Sequence, residues 1–309
     1  MNGETKATRA AYGETLVALG KENEKIVVLD ADLAEATMTK HFKKEFPDRF
    51  FDCGIAECNM VGMSAGLSTM GYIPFCSTFA MFGTGRAYEI VRNGIGYPHL
   101  NVKLCFTHGG ITVGEDGASH QSIEDIALMR EIPGMTVIVP ADASETEKAV
   151  RAMAEYEGPV FARFGRAPCP ILPDAPFTIG KANVLREGTD GVLFACGFMV
   201  HIALEAAEAF AAKGKELAVV NVHTIKPLDK ETVLAYAQKC KNVVTLEEHS
   251  IYGGLGDAVA DAIIGKGDFT FKKIGVEDKF GQSGSWQDCM EVYGLSTPKV
   301  VAQLEDFLK

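Results

Sequence analysis

The 309-residue chain carries 30 basic against 41 acidic side chains, a formal net charge of -11, with 47% hydrophobic and 23% charged residues. That composition suits a globular protein with room for two cores, and the acidic balance disfavours an unspecific grip on nucleic acid or on an anionic membrane surface. No run approaches the roughly 18 apolar residues of a membrane-spanning helix, and the polar start MNGETKATRAAYGETL lacks a signal-peptide core, so a cytoplasmic location is expected.

In chain order, KIVVLDADL, YIPFCSTF, NVKLCFTHGG, MTVIVPAD and GPVFARFGR read as short apolar strands separated by longer helical stretches. Strand, crossover and strand at that rhythm predict a mostly parallel sheet covered by helices on both faces. Pro168, Pro170, Pro173 and Pro176 crowd one stretch, which predicts a break at 167–182 because proline continues neither a helix nor a central strand. The rhythm then restarts with GVLFACG, a helix in MVHIALEAAEAFAAKG, the strand LAVVNVHTI, a helix in DKETVLAYAQKC, the strand NVVTLEEH, then GGLGDAVADAIIGKG and FKKIGVED. The fold class is therefore α/β, with two domains, each a mostly parallel sheet with flanking helices. The eight cysteines form no CxxC pair, and most are expected to be reduced core residues, with neither a zinc site nor a disulfide framework.

The densest polar stretch is THGGITVGEDGASHQSIEDIALMR, following the apolar run VKLCF; residues 107–120 alone hold two histidines, two acids and four glycines. Loops beyond the carboxyl ends of parallel strands carry the chemistry of open α/β sheets. His108, Asp116 and His120 offer donors and acceptors suited to a polyhydroxylated substrate, while the alternative is a glycine-rich surface loop with incidental histidines. Their loose spacing does not indicate a metal site. Phe79 and Phe82 stand at i, i+3 on an expected helix start, a spacing found more often in a core than in a ligand platform. Arg9, Arg86 and Arg166 are candidate phosphate anchors, the last at a strand end. Glu57, in GIAECNMVGMSAGL, precedes a helix whose Gly and Ala spacing suits close packing; there a carboxylate can serve as a dipole-stabilising cap or as a partly buried functional acid.

Taken in one order, GIAECNM, STFAMF, THGGITVGEDGASHQSIEDIALMR, VIVPADA, GPVFARFGR, HSIYGGLGDAVADAI and FGQSGS make the chain resemble the second half of a transketolase over essentially its full length. The resemblance implies a pyrimidine-binding domain at 1–170, a linker at 171–182 and a C-terminal domain at 183–309, the last read as structural and dimer-forming. It implies that Glu57 bonds the aminopyrimidine ring of thiamine diphosphate and promotes its activation, that Phe79 and Phe82 line the pyrimidine pocket, and that Asp32 lies beside the cofactor. Asp116 and His120 would contact hydroxyls at the reacting end of the donor sugar, while Arg9, His108 and Arg166 would hold the sugar phosphate. The implied reaction is reversible two-carbon ketol transfer between a ketose phosphate and an aldose phosphate, within pentose phosphate and carbohydrate metabolism.

Several positions depart from the family pattern. Cys58 stands where His or Gln is common, Ala36 followed by Thr37 where serine is expected, and Gly85 where an aromatic is expected, while Arg86 is similar to the deoxyxylulose phosphate synthase group. No GDG sequence followed by Asn is present, which in the family binds the diphosphate through Mg²⁺. The expectation is a split enzyme, with a partner chain supplying the metal and diphosphate site around a homodimeric core in an α₂β₂ heterotetramer. Rival readings are a split deoxyxylulose-phosphate-synthase-like enzyme, a 2-oxo acid dehydrogenase β subunit, and a non-catalytic regulatory subunit of the same fold.

Overall fold

The computed structural model describes residues 5–309; the first four residues of the expected pyrimidine-binding domain lie outside them. Its strands are β1 (Thr5–Ala7), β2 (Ile26–Asp30), β3 (Phe50–Asp52), β4 (Ile73–Ser77), β5 (Lys103–Thr107), β6 (Thr136–Ile138), β7 (Val160–Phe164), β8 (Pro168–Pro170), β9 (Asn183–Arg186), β10 (Gly191–Ala195), β11 (Leu217–Asn221), β12 (Thr224–Lys226), β13 (Asn242–Ser250) and β14 (Thr270–Val276).

A seven-stranded sheet runs β12-β6-β7-β5-β4-β2-β3 and a five-stranded sheet β14-β13-β10-β11-β9. Both are parallel except at one edge, where β12 pairs antiparallel with β6 and β9 antiparallel with β11. The expected α/β architecture is thus present in each half. Central strands such as β2, β5, β7 and β10 are buried along their whole length, as continuous apolar runs require in a sheet covered on both faces. Pro168–Pro170 forms an outlying strand paired only with β1, where missing N–H donors cost nothing. No regular element lies between Pro170 and Asn183.

Three local expectations change. The segment LAVVNVHTI is not one strand: β11 ends at Asn221, and Thr224–Lys226 crosses to edge the first sheet. Phe79 and Phe82 do not share a helix start; Phe79 continues β4 in a bridge to Thr107, and Phe82 enters a wide helical turn, Met81–Arg86. The glycines of helix Glu57–Thr69 do not pack closely within this chain, because Gly62 and Gly66 have nothing within 4 Å of an added Cβ.

In the first sheet the chain leaves β2 towards β3 on one side and returns to β4 on the other. Such a reversal opens a crevice beyond the carboxyl ends of the strands. Among the described residues no helix is long and apolar enough to cross a membrane.

Candidate active site

The carboxyl ends of the first sheet assemble the predicted side chains. Glu57 is the first residue of helix Glu57–Thr69 and is 1% exposed, so the helix N-terminus offsets part of the cost of burying its carboxyl group. Its ion-pair partner is Arg86, whose Nη1 lies 3.0 Å from Glu57 Oε2 while the guanidinium side chain stays 56% exposed. The same guanidinium lies 5.7 Å from the centre of the Phe82 ring, so one cation bridges the buried acid and the aromatic wall. The sequence offers Arg86 as a phosphate anchor and as a likeness to the deoxyxylulose phosphate synthase group, but two residues 29 positions apart give no signal that they pair.

Phe79 and Phe82 stack with centroids 5.9 Å apart. His108 lies against Phe79 at 3.8 Å, and His120 meets Phe82 edge-on at 5.2 Å. His108 follows β5 with φ 59°, a left-handed conformation uncommon for a non-glycine residue. Burial, reinforced by Arg9, Arg166 and His120, lowers its pKa to about 3, so the ring is neutral. Arg9 Nη1, which can only donate, faces His108 Nε2 at 3.4 Å, and Thr107 Oγ1 lies 2.7 Å from Nδ1. The network therefore assigns the proton to Nδ1, donating to the threonine.

Arg9 also donates to Ala36 O at 2.7 Å, on the short helix Ala34–Thr37 that follows β2. Burial and the neighbouring Arg166 lower the Arg9 pKa, while Asp116 opposes the shift, so Arg9, Arg166 and Asp116 share one electrostatic neighbourhood. Arg166 is engaged with the Glu115 carboxylate and Val113 O, and that hydrogen bond lowers the pKa of Glu115. An anionic ligand at Arg166 thus competes with an exposed side chain of the same loop. Asp116 and His120 lie on that loop too, Asp116 exposed and His120 bonded to Ser119 Oγ at 2.9 Å.

Asp32 is the member standing apart. It is exposed with φ 60°, and it lines a separate groove with Leu33, Glu35, Lys40, Lys43 and Asp52. Two residues escaped sequence reasoning altogether. Arg163, inside β7, and Glu248, inside β13, meet beneath the 108–120 loop; the run Glu247, Glu248, His249 ending an apolar strand was the available signal.

The arrangement fits the pyrimidine half of thiamine diphosphate: a buried carboxyl at a helix start, beside two stacked aromatic rings, with the neutral His108 and the cationic Arg9 next to them. The transketolase pyrimidine binding domain family matches residues 4–170, and the transketolase C-terminal domain family residues 180–300. A provisionally named transketolase C-terminal section from Methanocaldococcus jannaschii is 48% identical over 100% of this chain and 98% of its own length. A 6-deoxy-6-sulfo-D-fructose transketolase subunit from a Clostridium species is 40% identical over 95% of this chain and 92% of its own. Human transketolase is 37% identical over 95% of this chain but only 48% of its own length, so the chain spans about half of that enzyme. Among solved structures, a split-gene transketolase described as an inactive β4 tetramer superposes with a TM-score of 0.89, at 49% identity and covering 99% of each chain. The chain therefore belongs to the transketolase family, as the C-terminal section of a split transketolase carrying its pyrimidine-binding and C-terminal domains.

Proposed function

We propose that this chain, with a partner carrying the diphosphate and Mg²⁺ site, catalyses reversible two-carbon ketol transfer from a ketose phosphate to an aldose phosphate in the cytoplasm. The observation that carries the reading is the buried Glu57 carboxyl, set at a helix start beside the Phe79 and Phe82 rings. Thiamine diphosphate, when bound, supplies the carbon nucleophile that carries the two-carbon unit.

Glu57 would hydrogen-bond the aminopyrimidine ring nitrogen and hold a proton there, in a site where burial strengthens that bond. Phe79 and Phe82 would hold the ring by stacking and exclude water. Neutral His108, with Nε2 turned to Arg9, can accept from a ligand hydroxyl only if the Arg9 contact opens; His120 and Asp116 would orient the reacting end of the sugar. Arg9 and Arg166 would anchor its distal anion. Asp32 is retained as a cofactor-side residue.

The helix bearing Glu57 supports a homodimeric core within an α₂β₂ assembly. Ile55 is 76% exposed and Met70 73%, and Gly62, Met63 and Gly66 complete the same open face. A contiguous apolar face of this kind is the mark of a protein contact. The domain limits 1–170, 171–182 and 183–309 stand as part of the proposal.

The test is co-expression with a candidate partner, followed by transfer from xylulose 5-phosphate to ribose 5-phosphate with thiamine diphosphate and Mg²⁺. Activity in the mixture alone, abolished by Glu57→Ala, is the expected result; a cofactor-loaded pair that transfers nothing from any ketose phosphate overturns it. The sulfo-sugar relative favours one second reading: the Arg9 and Arg166 pair would accept a sulfonate as readily as a phosphate, so the donor panel includes a 6-deoxy-6-sulfo ketose.

A further inference from the structure

The loop that carries His108, Asp116 and His120 has an unusual backbone. His108, Gly110, Gly114 and Gly117 all have positive φ, between 59° and 86°. The segment holds itself only by a short tight helical stretch, Ile111–Asp116, that is broken at Gly114, and by a bridge from Gly109 to Ser122, so much of its conformation has to be set from outside.

The imposing groups come from beneath. Glu248, 6% exposed near the end of β13 in the second sheet, accepts the Thr112 N–H at 2.5 Å. Arg163, 5% exposed in β7 of the first sheet, donates from Nη2 to Glu248 O at 2.7 Å and to Ser122 O at 3.4 Å, and its Nε lies 3.0 Å from Asp125 Oδ2. Gly110 N–H donates to the same Ser122 O at 2.7 Å. The packing leaves no slack: a Cβ on Gly109 would overlap the Arg163 side chain, and one on Gly110 the Glu248 carboxyl. Gln121 ties the far end of the loop to Gln282 O at 3.0 Å.

Apolar packing alone would join the two sheets, but it would not select backbone angles. Directional bonds from buried charged groups do, because each has one satisfactory geometry and a high penalty for losing it. We infer that Arg163 and Glu248 form a buttress across the two sheets that fixes the 108–120 loop, making them positioning residues for His108 and His120 and giving the second half of the chain a direct part in substrate recognition. The part of this inference that concerns substrate rests on the function proposed above; the part that concerns the loop does not.

The experiment compares Glu248→Ala, Glu248→Gln and Arg163→Lys with Leu304→Ala. The last removes a fully buried side chain on helix Thr297–Phe307, which packs on helix Met199–Ala211; it serves as a variant that loses stability without touching the buttress. Backbone hydrogen exchange is measured on the full chain, alone and with its partner, and KM and kcat for the ketose phosphate donor on the assembled pair. In Glu248→Ala, exchange at Thr112 and Gly110 should rise at least tenfold and KM at least tenfold, with kcat changed less. Glu248→Gln keeps an oxygen for the Thr112 N–H and should restore both to within about threefold of wild type. Leu304→Ala should change neither, whatever its melting temperature.

Loop exchange in Glu248→Ala indistinguishable from that in Leu304→Ala would overturn the inference, as would a donor KM within twofold of wild type. Should Glu248→Ala fail to fold, Arg163→Lys replaces it: the cation stays beside Asp125 but the Nη2 bonds go, and loop exchange must rise at least threefold. If the assembled pair transfers no ketol group, the functional reading falls while the exchange data still decide the buttress.

Discussion

The two sheets have the same construction, yet they use their carboxyl-terminal edges in opposite ways. In the first sheet that edge carries the candidate site, where Glu57, Phe79, Phe82, His108 and Arg166 are gathered with the exposed Arg86 and Asp116 beside them. In the second it is a seal. Asn221, ending β11, bonds Glu145 of helix Ala143–Glu155 at 2.8 Å; Gly197, just beyond β10, donates to Val139 O at 3.3 Å; and Glu248 in β13 reaches Thr112. A parallel sheet concentrates functional groups where its strands end, and whether they bind ligand or another domain depends on what is packed there.

Substitutions can break or sharpen this contrast. Residues of the candidate site should govern activity with little effect on stability, and seal residues away from the 108–120 loop the reverse. The largest effect is expected from Glu57→Ala: a loss of about 10³-fold or more in kcat of the assembled enzyme, since proton handling by a positioned group contributes at least about 10²-fold, with a melting temperature near that of wild type. A large fall in stability would move Glu57 to the structural side.

At the seal, burial above all pushes Glu145 up to about 7 from its ordinary 4.5, although Ala141 N–H and Asn221 donate to it. An acid whose pKa is raised on folding keeps its proton in the native state. Its contribution is therefore complete below about pH 4.5 and is lost as pH rises through about 7. Urea denaturation at pH 5 and pH 8 should show wild type losing about 2 kcal/mol more than Glu145→Gln over that interval, after discounting for partial exposure. Parallel pH dependence in the two proteins would remove Glu145 from the seal's energetics.

Back in the candidate site, Arg166→Ala should raise KM for a phosphorylated donor about tenfold, as expected when one charge-assisted anion contact is lost, and leave a non-phosphorylated ketose unaffected. Equal loss on both donors would mean that Arg166 shapes the loop through Glu115 and does not read the anion. The smallest effect is expected from Arg86→Met. Its pair with Glu57 is half open to water and worth at most about 1 kcal/mol, so titration of the assembled protein with thiamine diphosphate should show Kd shifting no more than about fivefold, towards tighter binding if the ion pair competes with the pyrimidine. A hundredfold weakening would instead make Arg86 a cofactor ligand.

Much of this was legible in the residues. Apolar runs such as IVVLD and KLCFT became fully buried strands, because a strand covered on both faces cannot tolerate alternation. Glu57 fell at a helix start because the small and apolar residues after it favour helix and the carboxylate favours the N-terminus. The 107–120 loop stood out by composition alone, and the family resemblance rested on motifs spread along the chain. Other features left no local trace. Thr224–Lys226 looks like the end of a second-sheet strand, but it edges the first sheet instead. The pairing of Arg86 with Glu57 spans 29 residues, and the bond from Thr112 to Glu248 spans 136. The sequence by itself determined most of the segments that are strand or helix and which side chains can do chemistry, since periodicity and residue type act over a few neighbours. Only the tertiary structure decided which strand ends gather the candidate site and which meet the other sheet, because that depends on which distant surfaces bury each other.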